Sequence, residues 1–166
     1  MPVQRIAVYP GSFDPVTRGH LDIVQRAVRL FDRVVVAVLT NPSKRCTFTV
    51  SERLRTLKAC VRDLPGVEVG AMDGLLVDYL KAKKSRILIR GLRVVSDLDY
   101  EFQLASLNRK LDPRVETVFL MPDERYTYLS SSIVKTVARF GAQIDDLLPP
   151  PVCRMLKRKY PLRRKE

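Results

Sequence analysis

The order of short apolar runs constrains the fold of this chain more than any other feature. Five runs of strand length, rich in β-branched residues, occupy residues 6–9, 34–40, 67–72, 87–89 and 115–121. Segments with apolar residues at helical spacing lie between them, at residues 19–31, 51–63, 74–83 and 97–110. Strands that alternate with helices are typical of a parallel sheet with right-handed crossovers. We therefore predict one α/β domain, a Rossmann-like five-stranded parallel sheet with helices on both faces.

Local signals support these boundaries. Thr49 and Glu52 have the spacing of a capping box at the start of the second helix, and Asp73 is in position to cap the third. Pro65-Gly66 is expected to end the second helix. Two further helices are predicted at residues 131–140 and 151–160, separated by the prolines at 149–151. We assign residues 1–150 to the main domain, and residues 151–166 to a C-terminal helix and basic tail of the same domain.

The charge of the chain is strongly positive but unevenly placed. The 166 residues carry a net charge of +12, and half of it lies in residues 154–166, which hold seven Lys or Arg and one Glu. Such a tail can bind nucleic acid or an anionic surface. Tyr160 is the one aromatic residue there that could stack on a base, so a solvated terminus is the simpler interpretation. A basic nucleic-acid-binding module remains a less favoured alternative, and we do not expect nucleic acid as a partner.

Cysteine usage and hydropathy indicate the compartment. Cys46, Cys60 and Cys153 are widely spaced and form no C-x-x-C pair, so we predict reduced thiols and no metal site. The N-terminus lacks the apolar segment of a secretion signal, and no run approaches the roughly 20 apolar residues that span a bilayer. We therefore expect a cytoplasmic protein without membrane association.

The loop between the first strand and the first helix has the composition of a phosphate-binding loop. Gly11 and Gly19 allow the backbone to approach a ligand closely, and Ser12 and Thr17 offer hydroxyl groups. His20 falls in the first turn of the helix, where free N–H groups and the helix dipole attract anions. Neither G-x-G-x-x-G nor G-x-x-x-x-G-K-[ST] occurs in the chain, which argues against a dinucleotide redox enzyme and a P-loop NTPase.

The predicted topology brings this loop together with two others. In a sheet of order 3-2-1-4-5, strands one and four are neighbours at the switch point, and ligands bind outside their carboxyl ends. Arg90 and Arg93 follow strand four, where two guanidinium groups suit phosphate. The polar segment 126–132 follows strand five, and its serines can cap the next helix. We expect the three segments to meet in one crevice.

These motifs resemble those of a known family. Thr17-x-Gly19-His20 resembles the signature of the nucleotidylyltransferase superfamily, and residues 11–20 are similar to the version in bacterial phosphopantetheine adenylyltransferases. Three later stretches resemble the same family in the same order: Asn-Pro-Ser-Lys at 41–44, Ile-Arg-Gly-Leu-Arg at 89–93 with Asp-Tyr-Glu at 99–101, and Tyr-Leu-Ser-Ser-Ser at 128–132 followed by Val134-Lys135. Together they span about residues 5–148.

The resemblance implies adenylyl transfer from ATP to 4′-phosphopantetheine, which yields dephospho-coenzyme A and pyrophosphate. It implies catalytic roles for His20, Lys44 and Arg93. It places Ser12, Lys44, Leu76 and Arg90 at the acceptor. The residues that it implies for ATP binding are Ser12, Phe13, His20, Gly91, Leu92, Arg93, Glu101, Tyr126, Thr127, Tyr128, Leu129, Ser130, Ser131 and Ser132.

The implied acceptor needs no general base, which fits a chain with a single histidine. A phosphate monoester with a second pKa of about 6 is already a dianionic nucleophile at neutral pH, so the reaction needs no general base. The resemblance further implies Mg²⁺ that enters with ATP without dedicated protein ligands, coenzyme A as a possible feedback inhibitor, and a hexamer. The alternative is a sibling nucleotidylyltransferase with another phosphorylated acceptor. Those siblings usually carry His-x-Gly-His, and here Thr17 occupies the place of the first His.

Overall fold

A computed structural model describes residues 4–40, 45–94, 97–143 and 145–161. These residues form five strands and six α-helices that alternate as the sequence predicts. The sheet has the order β3-β2-β1-β4-β5, and every neighbouring pair is parallel. The elements are β1 Ile6–Gly11, α1 Arg18–Leu30, β2 Arg33–Leu39, α2 Val50–Val61, β3 Val67–Met72, α3 Leu76–Ala82, β4 Ile87–Gly91, α4 Leu98–Leu111, β5 Glu116–Leu120, α5 Ser131–Arg139 and α6 Pro150–Lys159. The predicted fold class is confirmed.

Successive residues of the strands face two different layers. On β2, Val34, Val36 and Val38 belong to the larger apolar cluster, whereas Val35 and Ala37 belong to the smaller one. Buried residues of α1, α2, α5 and α6 complete the larger cluster, and α3 covers the smaller. This alternation follows from the period of two in a strand, and it places helices on both faces of the sheet.

The helix that ends the described chain is part of this core. Val152, Cys153 and Leu156 of α6 lie in the larger cluster, and α6 packs against the helices α2 and α5. The charged residues Arg163, Arg164 and Lys165 of the predicted tail lie outside the described residues. Among the residues that are described, each helix is too short or too polar to cross a lipid bilayer.

One of the two predicted helix caps is confirmed. The Thr49 hydroxyl accepts a hydrogen bond from the Glu52 amide at 3.2 Å, and the Glu52 carboxylate accepts one from the Thr49 amide at 2.8 Å. This is the expected capping box of α2. α2 ends at Val61, four residues before Pro65.

The predicted Asp73 cap is wrong. α3 begins at Leu76, and the residue at its N-cap position, Leu75, supplies no side-chain hydrogen bond. Asp73 instead accepts a hydrogen bond from the amide of Gly74, at 2.9 Å. Gly74 has φ of +78°, a left-handed conformation outside the helical region, so the helix starts later than the apolar spacing suggests.

α4 differs from the other helices because none of its residues is buried. It exposes four large apolar side chains, Tyr100, Phe102, Leu107 and Leu111. Phe102 packs edge-on against Phe119 of β5, with ring centroids 5.3 Å apart. The helix therefore presents an apolar surface together with the edge strand of the sheet.

Candidate active site

A crevice opens where β1 and β4 separate. Their registered pairs are Ala7 with Ile87 and Val8 with Leu88, whereas β1 and β2 stay in register to Gly11. Beyond the last pair of β1 and β4, the two strands diverge and leave a cavity of about 380 Å³ at the carboxyl edge of the sheet. This is the switch point at which open α/β sheets bind ligands.

The crevice collects residues from all three predicted segments. Those that line it and were predicted from the sequence are Ser12, His20, Arg90, Gly91, Arg93, Glu101, Leu129, Ser130, Ser131 and Ser132. Phe13 borders a second recess next to it, which shares Ser12, His20, Ser131 and Ser132 with the first. The expected convergence of the three segments in space is confirmed.

His20 is held by the N-terminus of its own helix. Thr17 is the N-cap of α1, and its amide donates to Nδ1 of His20 at 3.0 Å. The Thr17 hydroxyl also lies 2.9 Å from Nδ1. Because Nδ1 accepts from a backbone N–H, the neutral ring carries its proton on Nε2. Thr17 was predicted to offer a hydroxyl to a ligand, and it serves here to orient His20.

The environment of His20 keeps the ring neutral. Desolvation of the imidazole, and secondarily the positive charge of Arg93, lower the pKa of His20 to about 4. At neutral pH the ring is therefore an uncharged hydrogen-bond donor in the crevice. Such a group can stabilise developing charge on a phosphoryl oxygen without titrating in the physiological range.

Phe13 packs against the loop before His20 from the side of the apolar core. This side chain is almost fully buried, and its backbone has φ of +46°. Its ring lies edge-on to Tyr9 and to His20, with centroids 5.4 and 5.2 Å apart. A Cβ on Gly11 would stand 2.9 Å from the Phe13 ring, so this glycine makes room for Phe13. Phe13 thus supports the ring of His20 from within the core.

Arg90 is already paired in the crevice. Its Nε and Nη2 donate to the two oxygens of Glu101, at 2.6 and 2.5 Å. Nη1 points to the carbonyl oxygen of Pro10, 3.5 Å away. The Glu101 carboxylate holds the pKa of Arg90 above its ordinary value, against the opposing effect of burial. The pair links α4 to the end of β4.

Arg93 connects the crevice to the segment after β5. Its Nη1 donates to the carbonyl oxygen of Leu129 at 3.2 Å, and Nη2 lies 3.6 Å from the carboxylate of Asp97. Asp97 lines the crevice as well, although the sequence analysis did not select it. Two arginines with two carboxylate partners thus face the region next to His20.

The start of α5 faces the crevice. Ser130 caps the helix, because its hydroxyl accepts from the amide of Ile133 at 3.1 Å. The Ser131 hydroxyl donates to the carbonyl oxygen of Pro15 at 2.7 Å, which ties α5 to the first loop. The cap that the sequence suggested is therefore present, and the free backbone N–H groups at a helix start are able to bind an anion.

Some of the predicted site residues do not line the crevice or the recess. Tyr126 lies against Gly19, and Thr127 donates from its hydroxyl to the carbonyl oxygen of Glu124. The remaining three are Leu76, which packs beside the smaller apolar cluster, Leu92, whose amide donates to Leu120, and Tyr128, which is exposed. Lys44 and the rest of the stretch 41–44 lie outside the described residues.

The sequence analysis missed a buried acid in the first loop. Asp14 is 4% exposed and accepts hydrogen bonds from the amides of Thr47 and Phe48, each at 2.9 Å. Lys135 of α5 donates to the same carboxylate at 2.7 Å. Both Asp14 and Lys135 stand in motifs that were recognised, but the contact joins residues 121 positions apart, and no local pattern indicates it.

A buried arginine was also missed. Arg53 of α2 is 4% exposed, and its guanidinium donates to three backbone carbonyl oxygens. The acceptors are Ser12 at 2.6 Å, Leu39 at 3.1 Å and Phe48 at 3.2 Å. Arg53 therefore joins the first loop to the end of β2 and the start of α2. Within the described ranges, no cluster of three or more His, Cys, Asp or Glu is placed to hold a metal ion.

Comparisons with known proteins agree with this geometry. The model of the cytidylyltransferase-like family matches residues 8–137, which is most of the chain and includes all three segments of the crevice. Among solved structures, a Vibrio parahaemolyticus protein provisionally assigned as a nicotinate-nucleotide adenylyltransferase has a TM-score of 0.70. The similarity covers 94% of this chain and 93% of that one at 16% sequence identity, so it speaks for the fold alone.

Curated relatives are much more similar in sequence. A phosphopantetheine adenylyltransferase of Caldanaerobacter subterraneus subsp. tengcongensis is 52% identical over 156 residues, which cover 94% of this chain and 98% of the relative. One of Alkalilimnicola ehrlichii is 54% identical over 157 residues, with coverage of 93% and 90%. The chain therefore belongs to the phosphopantetheine adenylyltransferases, a group of nucleotidyltransferases within the cytidylyltransferase-like family.

Proposed function

We propose that the crevice transfers the adenylyl group of ATP to 4′-phosphopantetheine, in the biosynthesis of coenzyme A. An oxygen of the acceptor phosphate forms a bond to the α-phosphorus of ATP, the bond from that phosphorus to the bridging oxygen breaks, and pyrophosphate leaves. The observation that carries the proposal is the meeting of a neutral His20, Arg93 and the start of α5 in one crevice. The near full-length similarity to named relatives supports the choice of acceptor.

The site supports catalysis by positioning and charge stabilisation. The acceptor phosphate is a dianion near neutral pH and needs no base to activate it. A His20 with a pKa of about 4 is a poor general base at pH 7, but its Nε2–H is a suitable donor to the α-phosphoryl group. Phosphoryl and nucleotidyl transfers depend mainly on such positioning and electrostatic stabilisation.

The other residues have complementary roles in this proposal. Arg90 binds the acceptor phosphate, and Arg93 with the capped start of α5 neutralises the ATP phosphates. Lys44 bridges the acceptor phosphate and the transferred group, a role that rests on the family resemblance alone. Glu101 would have to share Arg90 with the acceptor, since it now occupies both donors of one edge of the guanidinium.

Mg²⁺ enters with ATP as part of the substrate. The carboxylates of Asp97 and Glu101 line the crevice, but each is paired with an arginine, so neither is offered as a metal ligand. The metal would be held through phosphate oxygens and water, the usual mode for Mg²⁺ at nucleotides.

The assembly that we propose is a homo-oligomer, a hexamer as the family resemblance implies. The apolar surface of α4 supports it, because a fourteen-residue helix with no buried residue and four exposed large apolar ones suits a protein contact. Coenzyme A is proposed as a feedback inhibitor, as the family resemblance implies, and it shares the pantetheine portion of the acceptor. Three free thiols, Cys46, Cys60 and Cys153, support a cytoplasmic location.

Pyrophosphate release from MgATP tests the proposed reaction. Separate reactions receive 4′-phosphopantetheine, nicotinamide mononucleotide or no acceptor. We expect release with phosphopantetheine only, together with dephospho-coenzyme A in equal amount. Release with nicotinamide mononucleotide would identify a sibling activity, and no release with either acceptor would reject the proposal. The mass of the assembly, measured by light scattering, tests the hexamer.

A further inference from the structure

The first loop is fastened to α5 at two points. Ser131 donates to the carbonyl oxygen of Pro15, and Lys135 donates to the carboxylate of Asp14, both at 2.7 Å. Ser131 and Lys135 stand one helical turn apart, so the two contacts lie on the same face of α5. The loop therefore cannot move away from α5 without breaking an ion pair whose carboxylate is buried.

The same carboxylate holds a third segment. Asp14 accepts from the amides of Thr47 and Phe48, which precede α2. One buried side chain thus joins the first loop, the segment before α2 and the face of α5. A carboxylate removed from water to this degree is stabilised only by such donors and by the charge of Lys135.

The next residue in the chain connects this junction to the site. Phe13 precedes Asp14 and has φ of +46°, a conformation that costs free energy for any residue other than glycine. It persists only where its surroundings hold it in place. The ring of Phe13 contacts the ring of His20 edge-on at 5.2 Å, so a shift at Asp14 reaches the imidazole through one side chain.

We propose that the Asp14–Lys135 ion pair is a positioning unit, which holds the first loop against α5 and thereby fixes the ring of His20 in the crevice. Neither residue is assigned a contact with substrate. The part that concerns turnover rests on the proposed function, whereas the part that concerns His20 does not.

His20 provides a direct readout because it is the only histidine of the chain. Its ring signals in an NMR titration are therefore unambiguous. In the native protein, desolvation and Arg93 set the pKa of His20 to about 4. The Phe13 ring and the Thr17 hydroxyl contact the imidazole, and the other charged groups that line the same crevice and recess are Asp14, Arg45, Arg90, Asp97, Glu101 and Lys135. Loss of the Lys135 charge by itself raises the pKa of His20, whereas loss of the Asp14 charge by itself lowers it, so a rise in both variants reports entry of water. If the loop loosens, water reaches the ring and its pKa rises toward the ordinary 6.5.

The variants are Lys135→Met, Asp14→Asn and the conservative Lys135→Arg. Lys157→Met is the matched control, since Lys157 also donates to a carboxylate, that of Asp145 at 2.8 and 3.0 Å, but on the exposed surface of α6. We expect both Lys135→Met and Asp14→Asn to raise the pKa of His20 by at least one unit. We expect kcat to fall about 10- to 100-fold, with the KM for ATP changed less than 3-fold. Lys135→Arg should largely restore both values, and Lys157→Met should match the native protein.

Each other outcome has a defined meaning. An unchanged His20 titration in both loss variants overturns the proposal, whatever the activity. A shifted titration with native kcat overturns the catalytic part. A raised substrate KM in Lys135→Met, with Asp14→Asn unaffected, would make Lys135 a direct phosphate ligand instead.

A double variant covers the case in which a single variant does not fold, and the titration itself does not depend on the identity of the acceptor. If a single variant does not fold, the double variant Asp14→Asn, Lys135→Met leaves no lone buried charge, and it should still show the raised pKa. A native titration in the folded double variant would also reject the proposal. If phosphopantetheine proves not to be the acceptor, the titration result remains valid, so the two failures are distinguishable.

Discussion

The guanidinium of Arg90 and the carboxylate of Glu101 form a two-point ion pair across the crevice, from Nε at 2.6 Å and Nη2 at 2.5 Å. This geometry pre-orients Arg90 at the carboxyl end of β4. In the proposed reaction, an incoming phosphate would meet an arginine whose position is already fixed, so less side-chain entropy would be lost on binding.

Replacement of Arg90 tests its role at the acceptor. Arg90→Ala removes a charge-assisted contact worth about 1.5–3 kcal/mol, so the acceptor KM should rise by roughly 10- to 150-fold. The KM for ATP should change much less. Steady-state kinetics with each substrate varied in turn measures both values. Arg62→Ala is the control, because Arg62 pairs with Asp63 on the exposed surface. An unchanged acceptor KM would remove Arg90 from the acceptor site.

Loss of the His20 side chain should affect turnover. His20→Ala is expected to lower kcat by roughly 10² to 10³, because a donor directed at the transition state contributes little to ground-state binding. The KM for ATP should stay within a few-fold of the native value. Single-turnover measurements would separate the chemical step from product release. A variant with near-native kcat would contradict the proposed role.

The low pKa of His20 also predicts a dependence of stability on pH. The unfolded chain binds a proton on this histidine near pH 6.5, whereas the folded protein does so only near pH 4. The free energy of unfolding should therefore decrease as the pH falls from about 6.5 to 4, by about 2–3 kcal/mol from this group. The variant His20→Asn keeps an acceptor for the Thr17 amide, but its side chain does not bind a proton in this pH range. Urea unfolding at several pH values should show a smaller loss in the variant, and equal losses would contradict the assignment.

Arg53 should matter for stability without touching substrate. Arg53→Met leaves the carbonyl oxygens of Ser12, Leu39 and Phe48 without this donor, and we expect a loss of about 2–5 kcal/mol in the free energy of unfolding. Arg55→Met is the matched control, since Arg55 is exposed on the same helix. Thermal or denaturant unfolding measures the change in stability of both variants. Similar small effects in the two variants would show that the buried hydrogen bonds contribute little.

Deletion of the C-terminal basic residues tests the alternative that the protein binds nucleic acid. Deletion of residues 161–166 removes three basic residues and one acidic residue, all beyond the end of α6. Adenylyl transfer should remain intact. Any affinity for duplex DNA or RNA should be weak, should fall steeply with salt and should decrease on truncation, as for contacts to phosphate alone. Tight, sequence-selective binding at physiological salt would establish nucleic acid as a partner.

The sheet could be predicted because its signals are local. From the five apolar runs, the sequence analysis predicted strands that end within about two residues of the observed ends. The observed strand order is that of the predicted Rossmann-like fold class. The capping box of Thr49 and Glu52 depends on residues three apart, so it too could be predicted. The convergence of His20, Arg90 and Ser130 follows from the same topology.

The features of the site that the sequence analysis did not predict depend on contacts between residues that are distant in the sequence. The partners of Asp14 lie 33 to 121 positions away, and those of Arg53 include Ser12, 41 positions away. A hydroxyl such as that of Thr17 has two competing uses, cap or ligand, and sequence pattern alone cannot decide between them. The Arg90–Glu101 pair spans eleven residues and two elements, so its geometry had to come from the folded structure.

The short register between β1 and β4 has a mechanical consequence for the molecule. These strands share two registered pairs, whereas β1 and β2 share six, so a three-stranded half and a two-stranded half of the sheet meet at a narrow seam. Ser12 belongs to one half and Arg93 to the other. A nucleotide that contacts both would connect the two halves beyond the last registered pair of β1 and β4. It would thereby reduce the motion of one half of the sheet relative to the other. Substrate binding would then slow amide hydrogen exchange in β4 and β5 as well as at the loops that touch it.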